Sequence, residues 1–118
     1  MKKTLLLIAL ILSTTLVFSQ KNEKLKGLHF LDEIYQAIVK KVVLKITYKS
    51  FKSREETIFN FHPFILKEFN NRWFLVGKKR KQVPVTNLAL DRIVSIDYDF
   101  QIPYIDEVFD AEQFYKNV

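Results

Sequence analysis

The sequence predicts a small, mainly β domain in which one amphipathic helix precedes a β-barrel and a short helix follows it. Three observations support this fold class. Apolar residues between positions 28 and 39 recur at three- and four-residue spacing, which is typical of a helix with one buried face. Between positions 42 and 98, about six short segments alternate apolar and polar residues, as half-buried strands do. Strands this short and numerous favour a strongly bent sheet that closes on itself.

Turn residues set the order of the predicted elements. Asn70-Asn71 separates two apolar runs and predicts a tight hairpin, because Asn tolerates the positive φ angles that such turns require. His62-Pro63 ends or bends the preceding strand, since proline cannot donate to a β-ladder. The predicted helices span 28–39 and 107–115, and the predicted strands span 42–48, 57–61, 64–69, 72–78, 86–90 and 93–98.

Length and composition limit the classes of protein that the chain can represent. Its 118 residues suffice for one domain, and a hydrophobic content of 48% can fill a core. There is no cysteine, which excludes disulfides, thiolate nucleophiles and cysteine zinc sites. Two glycines cannot form a glycine-rich phosphate loop, and neither a Ser-His-Asp order nor an HExxH motif occurs. The prediction is a non-enzymatic protein with no catalytic residues, metal site or cofactor.

The first twenty residues have the pattern of a secretory signal peptide. Two lysines precede an apolar run from Leu5 to Leu12, and Val17 and Ser19 are small enough to flank a cleavage site. This run is shorter than the ~20 apolar residues that span a bilayer. We therefore predict a leader over 1–20, a polar linker over 21–27 and the domain over 28–118. The leader predicts export or membrane association. An uncleaved anchor and a buried helix of a cytoplasmic protein are the alternatives.

Charge is distributed unevenly along the chain. Residues 21–96 hold 16 basic and 7 acidic side chains, a net charge of +9. Residues 97–118 hold 1 basic and 6 acidic side chains, a net charge of −5. A cationic body suits an anionic ligand such as nucleic acid or a phosphorylated metabolite. A well-solvated surface with no ligand explains the same composition.

Several short motifs together resemble the WYL domain, a ligand-sensing module of bacterial transcriptional regulators named for a Trp-Tyr-Leu tripeptide. The tripeptide is represented here by Trp73, Phe74 and Leu75. The resemblance covers about residues 28–115 and depends on the order and spacing of its motifs. The other motifs are Ala37-Ile38 at the end of a helix, Ile46-Thr47-Tyr48 at the end of a strand, His62-Pro63, Arg72 before the tryptophan, and Asp91-Arg92-Ile93 after a strand.

The resemblance implies an Sm-like, SH3-type barrel with a cationic pocket for a regulatory ligand, nucleic acid or a nucleotide being the leading candidates. Arg72 and Arg92 would clamp phosphate oxygens, which a planar guanidinium binds in bidentate fashion. Tyr48, Ser50 and His62 would supply hydrogen bonds or, for the two rings, a stacking face for a base. The ligand-binding residues implied in this way are Tyr48, Ser50, His62, Arg72 and Arg92.

Two departures from the family pattern shape the functional prediction. Phe74 replaces the middle tyrosine and removes a hydroxyl. The winged helix-turn-helix of such regulators is not expected in this chain, so no sequence-specific reading of duplex DNA is predicted. The predicted partner is an anionic ligand, single-stranded nucleic acid or a nucleotide, with a homodimer left open. The alternatives are a fragment of a regulator that retains no ligand and an exported envelope protein that uses the barrel for protein contacts.

Overall fold

The computed structural model describes residues 26–116, so the predicted leader and residues 21–25 of the predicted linker lie outside the described residues. A 3₁₀ turn (Leu28–Phe30) runs directly into the first helix, and a second 3₁₀ turn (Leu90–Arg92) joins the last two strands. The elements are helix α1 (Leu31–Lys40), strands β1 (Val43–Tyr48), β2 (Thr57–Phe69), β3 (Arg72–Lys78), β4 (Thr86–Ala89) and β5 (Ile93–Asp99), and helix α2 (Ala111–Lys116).

The five strands form one antiparallel sheet in the order β4-β3-β2-β1-β5. The prediction of a mainly β domain with a helix before it and a short helix after it is therefore confirmed. The sheet is open in the described pairings, with β4 and β5 at its two edges. Its closure into a barrel stays a prediction.

Strand β2 corrects the prediction of separate strands on either side of Pro63. It is a single strand of 13 residues, whose first part pairs with β1 and whose second part pairs with β3. The register shifts between Pro63 and Ile65, so a local irregularity accommodates the proline without ending the strand. Gly77 lies opposite Pro63, where a Cβ atom would come within 2.1 Å of the His62 carbonyl oxygen. Proline bends the strand here, and glycine lets the backbones approach.

The Asn-Asn hairpin is confirmed. Asn70 and Asn71 have φ angles of 52° and 63°, the left-handed pair that a tight turn between twisted strands requires. Phe69 pairs with Arg72 across the turn, and the Glu68 carboxylate accepts the Asn71 N–H at 3.0 Å. The turn thus places Arg72 at the start of β3.

Helix α1 is amphipathic, but its buried stripe is narrower than the sequence spacing suggests. Ile34 and Ala37 are fully buried against the sheet. Tyr35 and Val39, which the spacing assigned to the same face, are 56% and 58% exposed, and that part of the prediction was wrong. Tyr35 lies about 100° and Val39 about 140° around the helix axis from the buried Ile34, so both point away from the face that packs on the sheet. The helix ends at Lys41, which adopts a left-handed conformation in place of the usual glycine.

The hydrophobic core lies between α1, the bent sheet and the Leu90–Arg92 turn. Leu90 is almost completely buried, although it belongs to a connection between edge strands. This burial anchors the turn and determines where its two charged residues emerge. The other large residues of this core are Phe30, Ile34, Leu44, Ile46, Phe61 and Leu75.

Candidate anion-binding site

The Leu90–Arg92 turn is the centre of the candidate site. Its buried leucine holds the backbone in place, and the polar side chains of Asp91 and Arg92 project beside it. The Lys49 N–H donates to the Arg92 carbonyl oxygen at 3.0 Å, which ties the end of β1 to the turn. Segments that are more than forty residues apart in sequence therefore meet here.

Arg72 binds Asp91 through two parallel hydrogen bonds. Its Nε donates to one carboxylate oxygen at 2.8 Å and its Nη2 donates to the other at 2.9 Å. This pair raises the pKa of Arg72, the hydrogen bonds to Asp91 being the largest cause. The Asp91 side chain is only 14% exposed, so its negative charge is stabilised mainly by Arg72 and little by solvent. Three of the five guanidinium N–H groups of Arg72 stay outside this pair.

Arg92 has no such partner. Its Nε atom is buried and makes no hydrogen bond to any of the described residues. The nearest carboxylate oxygen, on Asp91, lies 3.8 Å away, which is an ion-pair distance but too long for a hydrogen bond. The guanidinium lies over the ring of Phe51, 4.6 Å from its centroid, and that ring is 82% exposed. Arg92 is thus a positioned cation with an unused hydrogen-bond donor. A buried donor without an acceptor lowers the stability of the fold.

An open pocket of about 350 Å³ lies in front of Arg92. Lys26, Lys49 and Arg92 contribute three cations to its lining, and Asp91 contributes the single carboxylate. Neither lysine makes an ion pair within residues 26–116, whereas Asp91 is already bound to Arg72. The pocket is therefore positive, and it is suited to a ligand with a phosphate or carboxylate group.

Gly27 allows the backbone before the first 3₁₀ turn to lie close to Leu90, and this approach shapes one side of the pocket. It has a φ angle of 87° and lies so close to the second turn that a Cβ atom would come within 2.3 Å of the Leu90 carbonyl oxygen. Only glycine adopts this conformation in this space without strain. The close approach brings Lys26 and the ring of His29 to the edge of the pocket.

Tyr48 and Ser50 lie on the same side of the molecule, but their side chains are already engaged. The Tyr48 hydroxyl oxygen accepts the Ala89 N–H at 3.1 Å, which links β1 to β4. Ser50 Oγ accepts the Ser53 N–H at 3.2 Å and stabilises the exposed loop after β1. Both hydroxyls retain a proton to donate, and their predicted ligand contacts stay predictions.

His62 lies apart from the other four predicted residues. It is 4% exposed, and its Nδ1 accepts the Ile105 N–H at 3.1 Å. Burial lowers its pKa from the usual 6.5. Within residues 26–116, none of the hydrogen bonds, ion pairs or ring contacts described for His62 joins it to Tyr48, Ser50, Arg72 or Arg92. The structure thus brings Tyr48, Arg72 and Arg92 together around the second turn, whereas the side-chain contact described for Ser50 is with Ser53.

The tripeptide at 73–75 supports the site from β3. Leu75 is fully buried, and Trp73 packs against the core, as expected for alternate residues of one strand. Phe74 points to the other face, with the Arg72 guanidinium 5.3 Å from its ring centroid. The tripeptide therefore holds Arg72 in register with Asp91.

A family model for the WYL domain matches residues 29–98, which is more than half of the chain. The chain belongs to the WYL domain family. The resemblance carried by the sequence motifs is thus confirmed. Comparison with the curated proteins gives no match.

One solved structure similar to this WYL domain is the Proteasome accessory factor B/C (PafBC) of Arthrobacter aurescens. The TM-score is 0.57 at 25% sequence identity, and the match covers 62% of this chain. The same match covers 11% of that protein, so this chain corresponds to a small part of it.

The sequence motifs missed several residues of the candidate pocket. Lys26 lies in a segment predicted to be a linker, Lys49 in one predicted to be a solvated turn, and His29 was assigned no role. Only the position of Lys49, directly after the motif residue Tyr48, could have indicated it. Within residues 26–116 no helix is long and apolar enough to cross a membrane. The same residues contain no group of three or more acidic or histidine side chains suited to a metal ion.

Proposed function

We propose that this WYL domain is a non-enzymatic sensing module that binds an anionic ligand, a nucleotide or single-stranded nucleic acid, in the pocket in front of Arg92. Family membership supports a sensing domain related to bacterial transcriptional regulators. The observation that carries the ligand class is the grouping of Arg92 with Lys26 and Lys49 around one pocket, neither lysine making an ion pair within residues 26–116. The Arg92 Nε has no hydrogen-bond partner among the same residues, but it is buried. A phosphate oxygen would therefore bind the exposed part of this side chain, which is 31% exposed.

The two arginines have different roles in this proposal. Arg92 contacts the ligand, with Lys49 and Lys26 as additional cations. Arg72 acts by holding Asp91 in a bidentate pair, which leaves that carboxylate at ion-pair distance from Arg92, 3.8 Å, without a hydrogen bond to it. Tyr48 and Ser50 do not line this pocket, although both are adjacent in sequence to Lys49, which does. His62 can meet a ligand only after the segment that covers it has moved. We also propose that the sheet approaches an Sm-like barrel, since the Leu90–Arg92 turn connects its two edge strands directly.

Fluorescence anisotropy with a labelled oligothymidylate and a labelled adenine nucleotide, over a salt series, tests this function. Arg92→Gln is expected to weaken binding at least about tenfold, because it removes a charge-assisted hydrogen bond. Arg54→Gln is the matched control, since it removes the same charge from an exposed loop position. We expect the control to change affinity less than about threefold. Absence of binding at low salt, or equal losses in the two variants, would contradict a pocket centred on Arg92.

A further inference from the structure

The chain after β5 folds back over β2 as a strap, defined here as residues 104–116. The Tyr104 hydroxyl donates to the Pro63 carbonyl oxygen at 2.6 Å. Phe109 stacks on Phe64, with ring centroids 5.4 Å apart. Asp106 forms an ion pair with Lys41, and Glu107 forms one with Lys78. The strap thus combines apolar, hydrogen-bonding and ionic contacts with the part of β2 that contains the bend.

His62 lies under this strap and holds it through a hydrogen bond that depends on protonation. Its Nδ1 accepts the Ile105 N–H at 3.1 Å, so this nitrogen carries no proton. The ring is 4% exposed and lies beside Tyr104, with centroids 6.0 Å apart. In an imidazolium ion both nitrogens are donors, so protonation would set two N–H groups against each other and place a charge in a buried site.

The charged groups around His62 do not compensate a positive charge there. Lys78 lies opposite His62 in the pairing of β2 with β3, and its ammonium group binds Glu107. Asp106, adjacent to Ile105, is bound to Lys41 at the end of α1 at 2.9 Å. Both carboxylates of the strap near His62 are therefore already paired with ammonium groups, and the neighbouring Tyr104 is neutral. No free carboxylate among these groups is available to stabilise an imidazolium.

We propose that the strap is an acid-released latch: protonation of His62 breaks its bond to Ile105 and frees residues 104–116 from β2. Release exposes Phe64, which is buried in the closed form, and separates Lys41 and Lys78 from their acidic partners. The domain then presents an apolar strip flanked by two unpaired lysines. This inference is independent of the ligand proposed for the Arg92 pocket, because it concerns the middle of β2, none of whose residues lines that pocket.

The direction of the pH effect follows from linkage. Burial lowers the pKa of His62 in the closed form below the value of 6.5 that a solvent-exposed ring has. The open form therefore binds the proton more tightly, so the stability of the closed form is complete above pH 6.5 and is lost as the pH falls below it. Each pH unit between the two pKa values changes the opening equilibrium by up to about tenfold.

NMR-detected hydrogen exchange of the Ile105 amide, corrected for the intrinsic effect of pH, measures this opening. We expect protection to fall as the pH decreases from about 7.5 to about 5.0, by up to about tenfold per pH unit, with a midpoint that coincides with the titration of the His62 ring. His62→Asn retains an acceptor near the Nδ1 position but does not titrate, so its strap should stay closed at both pH values. His29→Asn, which replaces the only other histidine, should behave as the wild type.

Two results would overturn the latch. One is unchanged protection of Ile105 in the wild type across this pH range. The other is an equal loss of protection in the His62→Asn variant, which would assign the opening to the strap carboxylates. If His62→Asn does not fold, the wild type still decides the question, because a midpoint for Ile105 that differs from the His62 titration refutes the mechanism.

Discussion

Replacing Asp91 with asparagine should lower stability and raise anion affinity at the same time. The substitution keeps the shape of the side chain but removes its charge and turns one of its two acceptors into a donor. Arg72 then loses the bidentate pair that has N–O distances of 2.8 and 2.9 Å. Because the Arg72 side chain is 40% exposed, water compensates part of the loss. We therefore expect destabilisation of about 1–2 kcal/mol, below the sum for two fully buried charged hydrogen bonds.

The gain in affinity has an electrostatic origin. Asp91 is the single carboxylate lining the pocket, and Asp91→Asn removes its repulsion of an incoming anion. For unit charges about 7 Å apart in water this repulsion is about 0.6 kcal/mol, so affinity should rise about threefold. Urea denaturation followed by the fluorescence of Trp73, the only tryptophan, gives the stability. Anisotropy at fixed salt gives the affinity.

Asp97→Asn is the matched control, because it removes the same charge from an exposed position on β5 outside the pocket. We expect it to change stability by less than about 0.5 kcal/mol. An Asp91→Asn variant as stable as the wild type would show that the pair with Arg72 contributes nothing. Weaker anion binding by the same variant would refute the assignment of Asp91 as a repulsive group and would indicate that it organises the ligand site directly.

Two further predictions concern the fold and the leader. Gly77→Ala should destabilise the domain by about 3 kcal/mol or more in urea denaturation, because its Cβ would lie 2.1 Å from the His62 carbonyl oxygen; near-wild-type stability would contradict this packing. A fusion of residues 1–25 to a reporter that is active only outside the cytoplasm should be active if residues 1–20 direct export. An inactive fusion would contradict the prediction that residues 1–20 direct export.

Local chemistry explains which features could be predicted from the sequence. The Asn70-Asn71 turn and the half-buried strands follow from conformational preferences and alternation, which act over a few residues. His62-Pro63 was predicted to end or bend its strand, and the segments on its two sides were counted as separate strands. The structure shows one strand, because its continuation past Pro63 depends on Gly77 in the neighbouring strand. The buried face of α1 was predicted to include too many residues, because apolar periodicity does not show how much of the helix surface the sheet covers.

The candidate site was predicted less completely because its contacts are long-range. The basic residues Arg72 and Arg92 were identified from motifs, but the motifs could not show that Asp91 pairs with the first and leaves the Nε of the second without a partner. Lys26 enters the pocket only through the left-handed backbone of Gly27 beside Leu90. His62 binds the strap because it is buried beneath Ile105, a contact across 43 residues that sequence spacing does not reveal.

The most direct test of the account is the ¹⁵N–¹H resonance of the Arg92 Nε during titration with an adenine nucleotide. We predict that this resonance shifts on binding, because a phosphate held by the exposed part of the Arg92 side chain changes the electrostatic environment of its Nε, and that the Arg72 Nε resonance, already bound to Asp91, moves little. Arg92→Lys, which has no Nε–H donor, identifies the resonance. Saturable binding of the nucleotide with an unchanged Arg92 Nε resonance would contradict the central claim that this guanidinium receives the ligand.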